Sequence, residues 1–265
     1  VFDDTTERTY ITDGNQPKVT DNSIALTGGT AYPMNAYTLG VPKPSPCTGS
    51  ATGTGTGLKD SRVYTYTFVS AWGEEGQPAG PSSVVDVLPG QTVNITGLDV
   101  APSGNYQIAT KRIYRRSGSE VDYYFVAEIP VATVTFHDDI LQENLGEVLP
   151  STSFAMPPAE LRGLVQMANG IMAGFVGKDV YFCEPFKPYA WPIKYIQTFD
   201  YEVIALGALD TTLVVLTKGY PYVVQGAAPE AMAMVKINDP QACVSKRSVR
   251  VILNGIVYAS PDGLY

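Results

Sequence analysis

The chain has 265 residues, enough for one large or two ordinary domains. Its formal net charge is −8 and only 17% of its residues are charged, which excludes a grip on nucleic acid through Lys and Arg contacts to phosphates. With 25 Gly and 20 Pro there is little room for long helices, no apolar run reaches the ~18–20 residues of a membrane-spanning helix, and no signal-peptide pattern is visible.

Residues 1–46 are polar and extended, with one strand predicted at Arg8–Thr12. Pro33, Pro42, Pro44 and Pro46 hold the backbone out of helix. Residues 48–57 are Thr, Gly, Ser and Ala only, so a flexible linker or loop tip is predicted there. A β-rich texture starts at Arg62. Val63–Val69 alternates and ends at the turn Gly73-Glu74-Glu75-Gly76. Further strands are predicted at Ser83–Val87, Val93–Thr96, Lys111–Arg116, Asp122–Glu128 and Thr133–Phe136. About seven short strands with turn residues between them predict an antiparallel immunoglobulin-like sandwich over 58–150. Tyr64, Tyr66 and Phe68 share one face of the first strand, and Val63, Val69 and Ala71 the other; both faces are apolar enough to be covered.

From Leu161 the pattern changes to glycine-centred hairpins at nearly constant spacing. They are Asn169–Phe175 turning at Gly177, Asp210–Leu216 turning at Gly219, and Asn254–Ser260 turning at Gly263. Gly170, Thr211 and Gly255 step by 41 and 44 residues, and the three turn glycines by 42 and 44. Such a period is the pattern of propeller blades, which bury their faces only by stacking. Position 1 is Val rather than Met, and Tyr265 falls where a strand is expected. The sequence is therefore expected to be a fragment of a larger chain, with 1–57 an extended segment, blade end and linker, 58–150 a sandwich, and 151–265 an incomplete set of blades.

Chemistry-bearing residues are sparse. His137, the only histidine, precedes Asp138-Asp139, but no activated nucleophile or G-x-S-x-G elbow accompanies it, so a strand-terminal polar cluster is expected. Asp3, Asp4, Glu74, Glu75, Glu184, Asp200 and Glu202 could supply a glycosidase carboxylate pair, yet spacing does not pair them. Glu74-Glu75, between glycines, is expected to be exposed. Asp3-Asp4 and Asp138-Asp139 lack the further oxygen ligands that a metal loop needs. Asn94-Ile95-Thr96 matches the glycosylation sequon. Tyr189, Trp191 and Tyr195 could stack on sugars, but the flanking Pro188 and Pro192 favour a packed loop. Lys111, Arg112, Arg115 and Arg116 alternate between faces, so a salt-bridging edge strand is expected. Cys47, Cys183 and Cys243 cannot all pair within one chain and are expected as free thiols.

Val63–Gly76 with Pro78 and Pro81-Ser82, and Lys111–Gly118, resemble the fibronectin type III-like modules of bacteriophage virion proteins. Arg8–Tyr10, Thr12–Gly14, Pro17-Lys18 and Leu39–Pro42 resemble the blade end and linker that precede such a module. Val180–Pro185, Ala190–Pro192 and Leu216–Tyr222 resemble propeller strands of the same proteins, although Cys183 stands where a serine is expected. The architecture resembled is the tail nozzle of short-tailed phages. The resemblance implies a virion protein that is no enzyme, with no catalytic, cofactor-binding or metal-binding residue. It implies a homo-oligomeric ring, assembled in the host cytoplasm, that contacts the adaptor and fibres and passes DNA without specific binding. Some of Asp200, Glu202, Asp210 and Asp239 would then face the lumen. The alternatives are a host-receptor-binding or fibre-attachment tail protein and a propeller-type glycan hydrolase or lyase.

Overall fold

The structure, a computed structural model, describes residues 1–253 and 255–265. Asn254, the first residue of the third predicted hairpin, lies outside the described residues. The chain is all-β, built of antiparallel sheets. The one α-helix among the described residues is the single turn Asn22–Ala25, capped by Asp21, whose carboxylate accepts from the backbone N–H groups of Ser23 and Ile24. The chain folds as two compact units, Val1–Gly40 with Met156–Tyr265, and Val41–Ala155.

The first unit begins with a four-stranded meander: β1 (Phe2–Asp3), β2 (Arg8–Ile11), β3 (Lys18–Asp21) and β4 (Tyr37–Thr38).

The second unit carries β5 (Thr48–Thr52), β6 (Asp60–Ser70), β7 (Val85–Val87), β8 (Thr92–Thr96), β9 (Ile108–Ser117), β10 (Tyr124–Pro130) and β11 (Thr135–Asp138). They form two sheets, ordered β10-β9-β6-β7 and β11-β8-β5, on one shared core. Tyr64, Tyr66 and Phe68 share one face of β6, as alternation predicts, and that face enters the core to meet Val93 and Ile95 from β8 and Ile113 from β9. The opposite side of β6 is also buried at Val63, Thr65, Thr67 and Val69, but the strand ends at Ser70 and leaves Ala71 exposed.

Four sequence expectations fail in this unit. Residues 48–52 are not linker: β5 pairs along its whole length with β8. Backbone pairing does not need large side chains, and Gly49 lets Val85 come so close that a Cβ there would lie 2.8 Å from it. Val41 and Cys47 are core residues as well, so the unit starts well before position 58. The basic strand β9 is no edge, since it lies between β10 and β6. Glu75 is buried rather than exposed. After Gly73, at φ +77°, the chain returns beside β6, with Gly76 N–H bonded to Phe68 O, Ala79 to Tyr66 and Ser82 to Tyr64, which lays Glu75 on the sheet.

The chain then completes the first unit with β12 (Arg162–Gln166), β13 (Met172–Val176), β14 (Asp179–Phe182) and β15 (Gln197–Thr198), a second meander. A third consists of β16 (Val203–Leu209), β17 (Thr212–Thr217), β18 (Tyr222–Gln225) and β19 (Ala233–Lys236). The pairs β20 (Arg250–Ile252) with β21 (Gly255–Val257), and β22 (Ala259–Ser260) with β23 (Gly263–Leu264), follow. First strands of successive sheets lie side by side, β12 against β16 and β16 against β20. The pleat explains the unbroken apolar run of β17. Leu213 and Val215 pack with Phe175, Val180 and Phe182 of the preceding sheet, whereas Val214 and Leu216 pack with Ile256 and Tyr258 of the following strands.

Candidate functional site

A cleft of 460 Å³ lies in the first unit where loops of three sheets meet. Its walls are Asp3–Thr6 from the β1–β2 turn, Gln166–Ala168, Gly170 and Met172 around the β12–β13 turn, Phe186 and Pro188 beyond β14, and Ala208 and Asp210 at the β16–β17 turn. Asp3 organises one wall. Its Oδ1 accepts from Gln166 Nε2 at 3.0 Å and Thr5 N–H at 3.3 Å, and its Oδ2 from Thr6 Oγ1 at 2.7 Å. Burial pushes this carboxyl up, but the hydrogen bonds outweigh burial and hold it below the usual carboxylate range. Asp210, at φ +53°, accepts the Ala168 N–H at its carbonyl and so fixes the second turn against the third.

Phe186 forms the apolar floor. It is 67% exposed, its backbone sits at φ +59°, and its N–H is bonded to Gly170 O at 2.9 Å. One edge of its ring rests on Gly170, at φ +75°, where a Cβ would lie 2.5 Å from ring carbons, so a side chain there would be strained and would displace the ring. Three carboxylates and no Lys or Arg line the cleft. Such a surface repels phosphates and offers acceptors to a ligand rich in hydrogen-bond donors. Asp3, Asp4 and Asp210 were each marked in the sequence but not as one group. Phe186 was missed, and its only sequence signal is an aromatic residue between Pro185 and Pro188 in a loop.

The second unit holds three buried polar networks. Glu75, 4% exposed, accepts from Thr67 Oγ1 (2.9 Å), Tyr114 OH (2.8 Å), Ser151 Oγ (3.3 Å) and Arg112 (3.0 Å). Arg112 also donates to Glu128 at 2.7 Å. Arg115, fully buried, donates to Asp138 at 2.6 Å, to the Ile140 carbonyl at 2.9 Å and to Gln142 at 3.2 Å; Tyr64 OH donates to the same Asp138 oxygen at 2.7 Å. Lys111, also fully buried, gives its ammonium to the carbonyls of Asp99 and Thr133, and burial lowers its pKa. Long aliphatic stems let both cations start in a central strand and end among polar partners. Salt bridging of this strand is therefore present at Arg112 and Arg115, without the edge.

His137 and Asp138 point to opposite faces of β11. His137 is exposed with Nδ1 2.6 Å from Asn94 Oδ1, and Asp138 is buried, so no base–acid pair forms. The sequon Asn94-Ile95-Thr96 lies in the central strand β8, with Ile95 fully buried. Trp191 and Tyr195 are buried, Trp191 donating to Pro188 O and Tyr195 to Glu184 and Glu230. Asp200 and Glu202 precede β16 and Asp210 follows it, so a strand of roughly 23 Å separates them. Asp200 pairs with Lys236 at 3.3 Å, whose ammonium also lies 4.0 Å from the Tyr220 ring centre, and Glu202 pairs with Lys218. Asp239 accepts the Gln241 N–H at its carbonyl. The three cysteines are buried and free. Among the described residues no group of three or more His, Cys, Asp or Glu is placed to hold a metal ion, and no helix is long and apolar enough to cross a membrane.

No protein-family model matches the chain, and no curated protein matches it at a significant level.

Proposed function

We propose that this chain is a structural component of a bacteriophage tail, at the nozzle or tail-tube end. In this reading the meanders of the first unit are propeller blades forming the wall of a homo-oligomeric conduit. The second unit is the fibronectin III-like docking module for the adaptor and fibres. The observation that carries it is the stacking of sheets through both faces of β17, with first strands side by side, in a chain whose two-sheet unit is spliced between the first and second meanders. Blades are built this way, and the splice is the arrangement that the sequence resemblance implies. Exposed Val251, Ile252, Leu253 and Leu264 on the last strand pairs add apolar surface suited to a neighbour in an assembly. The net charge of −8 would let DNA pass without adhering.

Antibodies against residues 41–155, applied to intact particles and viewed by electron microscopy, test the proposal. Label clustered at the tail tube is expected. Label confined to peripheral fibres, or absent from particles, refutes the nozzle assignment.

A further inference from the structure

We infer that the 460 Å³ cleft of the first unit is a binding site for a neutral saccharide ring, with Phe186 as its stacking platform. The inference stands independently of the tail reading. A pyranose presents two chemistries at once, a C–H face and a rim of hydroxyl donors, and the cleft presents the complement of each. Phe186 supplies a flat apolar surface that is 67% exposed, with its backbone fixed by the N–H bond to Gly170 O and one edge of its ring against that side-chain-free glycine. Pro188, Ala168 and Ala208 continue the apolar side. Asp4, Asp210 and the Thr5-Thr6 turn supply acceptors around it, and Asp3 keeps that turn and Gln166 in position through its hydrogen bonds.

Competing ligands fit less well. Phosphate-bearing ligands would meet three carboxylates and no cation. A guanidinium from a partner protein would suit the carboxylates and the ring. It would fill only a small part of a cleft that lies within the ~300–1,000 Å³ range of small-molecule sites, however, and Asp3 is already engaged by three donors.

Saturation-transfer NMR on the full chain with millimolar maltose, lactose and chitobiose is the test. Transfer to ring C–H protons of at least one sugar is expected. Phe186→Ala, at an exposed side chain that the core does not need, should weaken binding about tenfold. Phe186→Trp should preserve it. Gly170→Ala, whose added carbon collides with the Phe186 ring, should weaken it without removing the aromatic group. No transfer to any of the three sugars overturns the inference, as does transfer that survives Phe186→Ala. Binding of a tetra-arginine peptide that the sugars do not compete overturns it in favour of a cationic partner.

Discussion

Replacing Asp138 with Ala strands a guanidinium in the core of the second unit. Arg115 and Asp138 are both fully buried and 2.6 Å apart; the Ile140 carbonyl and Gln142 still accept from the guanidinium after the change, but neither supplies the compensating negative charge. Breaking a buried pair from one side costs about 3–5 kcal/mol. The Tyr64 hydroxyl, which donates to the same carboxylate oxygen, adds about 1–3 kcal/mol if it is left without an acceptor. A domain has roughly 5–15 kcal/mol in total, so much of the unit's stability is lost. With an m-value of about 2 kcal/mol/M, a loss of about 4 kcal/mol lowers the urea midpoint by about 2 M. Trp72 lies in the second unit and Trp191 in the first, so fluorescence in a Trp191→Phe background reports residues 41–155 alone. The triple replacement Arg115→Met, Asp138→Leu, Tyr64→Phe removes the charges and the orphaned hydroxyl together and should return to within about 1 kcal/mol of the parent. A single variant within about 1 kcal/mol of the parent, or a triple variant as unstable as the single, would refute the reasoning.

Burial raises the thiols, Cys47 to about 11 and Cys183 to about 12, with Cys243 raised as well, so none should alkylate in the native chain at neutral pH and all three should after denaturation. Hydrogen bonds from Arg112 hold Glu128 below its ordinary 4.5, so its contribution is complete above that pH and is lost as pH falls through the lowered folded value. Urea midpoints should drop on acidification below 4.5, and less steeply in Glu128→Gln; equal slopes would contradict the pairing. Limited proteolysis should spare Thr48–Thr52, which pairs fully with β8, despite a composition that reads as linker; rapid cleavage there would show the strand to be absent. Leu213→Ala, at a fully buried position between two sheets, should cost about 2–5 kcal/mol, measured as a shift of the Trp191 unfolding transition.

Much of the strand pattern was legible because it is local. Strands β6 to β11 fall close to their predicted ranges, since alternation and turn residues act over a few neighbours. The 41- and 44-residue steps likewise found the hairpins β13–β14 and β17–β18, whereas the strand predicted over 254–260 is divided into β21, paired with β20, and β22, paired with β23. Composition could not find β5, because its side chains carry almost no signal and its partner β8 is some forty residues away in sequence.

The sequence by itself determined the all-β class, the shared face of Tyr64, Tyr66 and Phe68, and that at least one of the three cysteines is unpaired. Each follows from residue type, pleat or number alone. Only the tertiary structure decided which charges are paired and which cleft is open. Glu75 and Arg115 read as surface groups until long-range pairing buries them with Arg112 and Asp138, and Asp3, Phe186 and Asp210 become neighbours only when three sheets bring their turns together. Charge pairing and concavity depend on contacts between residues far apart in the chain, and no local pattern encodes them.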